Sequence, residues 1–192
     1  ALATEWVGNV AGFQPVSFRC PRLWGSTAVV NALEGLGYVA DASYPMFYYA
    51  ERLGPYHPSQ EDWTQEGDMR LLEIPVFADL SVDSKDQYGR DRDQWPLFRT
   101  HGADAVVQHI ESFLSYLDEH NVAAVLCFYF HPWEFVEMPS GLIHYGEGSV
   151  LPDSFLVSNC GDVALRELES LTVALQGMRA EFRTAGGLAR AW

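Results

Sequence analysis

The sequence predicts an α/β fold with a largely parallel sheet, and three observations carry that reading. Short apolar runs that read as strands alternate with stretches whose apolar residues recur at helical spacing. One run, "VAAVLCFYF" at 122–130, is continuously apolar and follows a helical stretch directly, the pattern of a parallel strand buried on both faces. Polar residues suited to chemistry stand just after such runs, where parallel α/β folds place their sites.

Taken in order, residues 1–11 read as the end of an amphipathic helix, and "PVSFRC" (15–20) as a short strand. "STAVVNALEGLG" (26–37) is a helix with Ser26 as its cap and Gly37 as its stop. "YVADAS" (38–43) is a second short strand, and 44–69, rich in Pro, Tyr, Trp and Gly, a long loop. "RLLEIPVFA" (70–78) is again strand-like and leads into a charged loop. Val106, Ile110, Phe113, Leu114 and Leu117 predict a helix over 103–120. Residues 136–160 are irregular, Leu165, Leu168, Leu171 and Leu175 mark a long helix, and "AEFRT" and "AGGLARAW" read as an edge strand and a closing helix. With no repeat and no linker, 1–192 reads as one domain.

Composition narrows the function. Of 192 residues, 48% are hydrophobic and 14% aromatic, which excludes intrinsic disorder. A net charge of −14 argues against a nucleic-acid partner, which needs clustered positive charge. Cys20, Cys127 and Cys160 are odd in number and lack CxxC spacing, so reduced thiols are expected. No stretch has the length of a membrane span, and no signal peptide is visible, so cytoplasm is expected over secretion. The chain opens "ALATEWVGNV", without Met and already inside a helix, which reads as a missing natural beginning.

The strand-end rule selects Arg19, Asp41 and His131. His131 follows a buried run and opens "HPWE"; it is either a core histidine with a partner or a group poised to move a proton near neutral pH. Arg19 is either a catalytic neighbour or the partner of a buried carboxylate. Glu73 lies inside an apolar strand, so it either faces solvent at an edge or needs a cation or strong donors. Asp41 can serve only to end its strand. Trp24, Tyr44, Tyr48, Tyr49 and Tyr56 form either a sugar-stacking platform or core. His57, His101, His109, His120 and His144 show no metal-ligand spacing, and no P-loop, GxGxxG or GxSxG element occurs.

"FRCPRLWGS", "YVADASYP", "PYHPS", "RLLEIPVF" and "FYFHPWEF", in this order, resemble the C-terminal part of NodB-homology polysaccharide deacetylases of the branch with HPWE-type motifs. The resemblance covers essentially the whole chain but only the latter part of that family's domain. It implies the C-terminal portion of a distorted (β/α) barrel and a metal-dependent hydrolase that removes N-acetyl groups from amino sugars or glycans. His131 would be the general acid, Arg19 would orient the catalytic aspartate, and Glu73 would tune the histidine, although the family's aspartate–tryptophan form is not seen there. Trp24, Trp133 and Tyr44 would bind substrate.

The family's metal, usually zinc, takes its ligands from an early aspartate pair and an HxxxH element. Neither occurs here, so these ligands are expected upstream of Ala1, on a missing segment or a second chain. Two alternatives stay open: a non-catalytic truncated barrel that binds saccharide or a partner protein, and an amidohydrolase acting on a small cyclic ureide or imide.

Overall fold

The computed structural model describes residues 2–192. In chain order the elements are α1 (Leu2–Ala11), β1 (Ser17–Phe18), α2 (Thr27–Gly35), β2 (Ala40–Asp41), α3 (Met46–Tyr49), β3 (Leu72–Glu73), α4 (Leu97–Thr100) and α5 (Ala103–Glu119). They continue with β4 (Ile143–His144), β5 (Ser149–Val150), α6 (Ser154–Val157), α7 (Asp162–Gly177) and α8 (Ala185–Ala189). Tight helical turns at Pro21–Leu23, Arg90–Arg92 and Pro132–Phe135 complete the set. The chain forms two compact bodies. One comprises the residues up to Arg92 with Tyr116–Phe128 and Phe182–Trp192; the other comprises Asp93–Ser115 and Tyr129–Glu181.

The first body is built on the parallel sheet β1-β2-β3, so the expected mixed α/β class is what forms. Its register sets Phe18 opposite Asp41 and Asp41 opposite Glu73. Side-chain alternation along the strands sorts the apolar residues between two faces. Leu71 joins Val30 and Leu33 of α2 and the rings of Tyr38, Tyr44, Tyr56 and Trp63 in one cluster. Leu72 and Ile74 join Ala40 and Ala42 in another, against Val125, Cys127 and residues of α8. Helix α2 starts where Ser26 Oγ accepts from the Val29 amide and stops before Gly37, whose φ of +81° suits glycine.

In the second body α4 and the turn Pro132–Phe135 pack on α7. Ala164, Leu171 and Leu175 form the buried stripe of α7, whereas Leu165, expected on that stripe, is exposed because it lies off the face they share. Strands β4 and β5 form a two-residue antiparallel ladder inside the stretch expected to be irregular.

Two strands expected from the sequence do not form. The run 122–130 makes a single parallel bridge, Cys127 to Val76, and its residues are half-buried or exposed; pairing on one side only leaves the other side open. "AEFRT" joins no ladder among the described residues, and Phe182 is exposed. The loop 44–69 in turn opens with an unforeseen helix, α3.

Candidate functional site

Two clusters of polar side chains and one cleft hold the residues singled out from the sequence. The first cluster surrounds His131. Pro132 sits at the first position of the turn Pro132–Phe135, where its missing N–H costs nothing. That turn carries Glu134 back under His131. Glu134 Oε1 accepts from the His131 amide at 2.8 Å, from Trp95 Nε1 at 2.8 Å and from His131 Nδ1 at 3.0 Å. Oε2 accepts from Arg99 Nε at 2.7 Å. The remaining Arg99 N–H groups donate to the carbonyls of Leu156 (2.9 Å) and Ser158.

This arrangement decides what the imidazole can do. A carboxylate on Nδ1 makes that nitrogen the donor, so the exchangeable site is Nε2. Nε2 takes part in none of these bonds, and the side chain is 41% exposed. The ring is held by stacking on Trp133 (centroids 5.3 Å apart) and by the edge of Trp95 (5.0 Å). Arg99 lies 5.5 Å from the Trp133 ring centroid, so Trp133 is gripped on both counts. The result is an oriented, accessible imidazole on a buried ionic base, with an indole beside it.

The second cluster stands at the carboxyl ends of β2 and β3. Asp41 and Glu73 are fully buried neighbours in register. Glu73 Oε1 accepts from the amides of Ser43 (2.9 Å) and Tyr44 (2.8 Å). Asp41 Oδ1 accepts from the Ala42 amide (2.9 Å) and Ser43 Oγ (2.7 Å). The oxygens left over, Asp41 Oδ2 and Glu73 Oε2, are buried without a hydrogen-bond partner. Burial, with the charge of Asp41 beside it, raises the Glu73 carboxyl well above the usual range. Burial raises Asp41 as well, against the opposing pull of Ser43, Glu73, Ala42 and the Arg19 cation. Both shifts favour the protonated form, because two carboxylates buried side by side cannot both hold a charge cheaply.

Arg19 closes this cluster by donating to the Ala42 carbonyl (2.9 Å) and to Cys127 Sγ (3.0 Å). The Cys127 thiol is raised by burial, with Arg19 pulling the other way. Of the sequence-selected residues, then, Arg19, Asp41 and Glu73 meet one another. The carboxylate that meets the His131 ring is Glu134.

The cleft lies beside Trp24 and has a volume of ≈ 470 Å³, lined in part by Trp24, Tyr48, Tyr49 and Tyr88. Trp24 is 72% exposed. Tyr44, expected to bind substrate, is instead fully buried: its ring packs against Tyr49, Tyr56 and Trp63, and burial pushes its phenol up to about 12. The aromatic set therefore divides. Tyr44 and Tyr56 are core; Trp24, Tyr48 and Tyr49 line the cleft.

Sequence reasoning missed Trp95, Arg99 and Glu134. Glu134 had a readable signal, since His-Pro-x-Glu is the spacing of a capping box, with the fourth residue returning to the first amide. Among the described residues no group of three or more His, Cys, Asp or Glu is placed to hold a metal ion. The metal implied by the resemblance does not fit the side chains described. No described helix is long and apolar enough to cross a membrane.

No protein-family model matches the chain, and no curated protein matches it. A solved structure from Mycobacterium smegmatis, assigned as a polysaccharide deacetylase, is similar to it at 19% identity with a TM-score of 0.40. The likeness covers 65% of this chain and 39% of that protein. At this TM-score it fixes neither fold nor reaction.

Proposed function

We propose that the chain is part of a hydrolase of amide bonds, most simply one that removes N-acetyl groups from amino sugars or glycans, with His131 as its general acid. The single observation that carries this reading is the Glu134–His131 pair. Nδ1 is held at 3.0 Å by a buried carboxylate, and Nε2 is left to exchange a proton. In amide hydrolysis the amine is a poor leaving group until its nitrogen is protonated. A proton passed from Nε2 to that nitrogen as the C–N bond breaks is the step this geometry serves. Trp133, stacked on the imidazole, offers its ring as a wall for the sugar. Arg19 and Glu73, engaged with Asp41, take positioning roles at the ends of β2 and β3.

The metal, with zinc as the leading candidate, and its ligands are assigned in this proposal to an upstream segment or a second chain. The test is acetate release from N-acetylglucosamine oligomers by the purified protein, with native mass spectrometry of the same material. His131→Ala is expected to lower turnover by about 10²–10⁴-fold and to leave any bound metal in place. Turnover near that of the unsubstituted protein would return His131 to a structural role.

A second reading is favoured by a separate observation. The cleft brings Trp24, Tyr48, Tyr49 and Tyr88 together, residue types suited to a saccharide-binding surface. A non-catalytic saccharide-binding module would keep this cleft, lose nothing on His131→Ala, and release no acetate.

A further inference from the structure

Helix α1 meets its own body along a narrow seam. Thr4 Oγ1 accepts from the Tyr38 hydroxyl at 3.2 Å, and Gly8, one turn on, is buried where a side chain would press on Gln14. Thr4 and Gly8 stand at i and i+4, one above the other on one side of the helix. Leu2, Trp6 and Val10 repeat at the same spacing but two residues out of step, which is about 200° around an α-helix and therefore the opposite side. Leu2, Trp6, Val10 and Phe13 are each at least 65% exposed, and Val7, three residues before Val10 on the same flank, is about half exposed.

The helix thus turns its apolar side outward. The exposed surface of these five side chains comes to roughly 500–600 Å², the size at which an apolar patch on a soluble protein marks an interaction. Charge narrows the partner. Helices that lie on membranes pair an apolar face with Lys and Arg; α1 has neither, its one charged residue is Glu5, and a chain of net charge −14 is repelled by anionic lipid. Two copies of such a chain repel each other through their acidic surfaces. The stripe is an uncharged face through which they can meet.

We propose that α1 is a dimerisation face, and that its occupant is α1 of a second copy, packed antiparallel about a two-fold axis. With Trp6 beside the axis, the spacing sets Leu2 of each helix against Val10 of the other. Each copy supplies the same row, so the contact closes on itself and leaves no stripe uncovered. Pairing buries on the order of 1,000–1,200 Å² in total, at the lower edge of a stable interface, and association in the micromolar range is expected. Thr4 and Gly8 keep their places, because they lie on the other side of the helix. The surface goes beyond the proposed reaction: neither His131 nor the cleft residues take part.

The experiment is sedimentation equilibrium of the purified chain over a range of concentrations. The average mass is expected to rise from 21.5 kDa to twice that value and to stop there. Trp6→Asp and Val10→Asp, each verified as folded by circular dichroism, should each weaken association by about tenfold or more. Val173→Asp, at an exposed position of α7, is the matched control and should leave association unchanged. Added salt should strengthen the pair, because it screens the acidic repulsion. A monomer at every concentration overturns the proposal, and a monomer that sediments with phosphatidylcholine vesicles gives the stripe to a bilayer instead. Association unchanged in both folded α1 variants, or lost equally in the α7 control, overturns it as well. So does a mass that climbs past the dimer without a plateau, which marks open-ended sticking in place of a closed pair. None of these outcomes depends on turnover, so they are separate from the result of the acetate assay.

Discussion

Arg99 Nε and Glu134 Oε2 meet at 2.7 Å with neither side chain exposed to solvent. A buried pair of this kind costs desolvation on both sides, and removing one partner leaves the other charge stranded. Arg99→Ala and Glu134→Ala are each expected to lower unfolding free energy by about 3–5 kcal/mol. The double variant should lose clearly less than the sum, because the second substitution removes the stranded charge. Urea denaturation of the three variants reads this. Additive losses would mean that the two side chains contribute independently.

Glu73 gives the stability a pH dependence whose sign follows from burial. Its folded carboxyl is raised above the ordinary 4.5. Between that value and the folded one, the native chain holds a proton that the unfolded chain has released. Stability therefore falls as pH rises through this interval. Asp41, also raised, acts in the same direction. Glu73→Gln keeps an acceptor for the Ser43 and Tyr44 amides and supplies a permanent donor toward Asp41. Melting temperatures of the two proteins should diverge as pH rises above 4.5, the unsubstituted protein losing ground. A constant difference across that range would show that the folded chain holds no extra proton at Glu73.

The sequence was most readable where local chemistry decides. Ser26 and Gly37 bracket α2 by capping and a left-handed stop, and both signals are local. The stripe of α5 is legible for the same reason, with Val106, Ile110, Phe113 and Leu117 all buried. The run 122–130 was misread because an apolar strand buried on both faces needs neighbours on both sides, which are set by tertiary pairing. Tyr44 and Trp24 were indistinguishable by residue type; only packing sends one into the core and the other to the surface. Arg99 is invisible from sequence since its partners, Glu134, Leu156 and Ser158, lie 35 to 59 positions away.

The loop that carries Arg90 makes the last prediction. Gly89 has φ of +70°, and any side chain there would collide with the Phe47 carbonyl oxygen. That oxygen belongs to the backbone of α3, so no flexible side chain can yield. Gly89→Ala must therefore move the loop away from α3, and with it the arginine seated on the Phe47 ring. The displacement leaves the sheet and the clusters beneath it intact, so the change is local. The expected outcome is a protein that still unfolds cooperatively, with stability lowered by about 1–3 kcal/mol for a backbone clash at a left-handed position. Amide exchange should rise along residues 84–91, where Asp86 and Asp91 now pin the loop amides. Unchanged exchange there, with full stability, would show that Gly89 is not what holds the loop against α3.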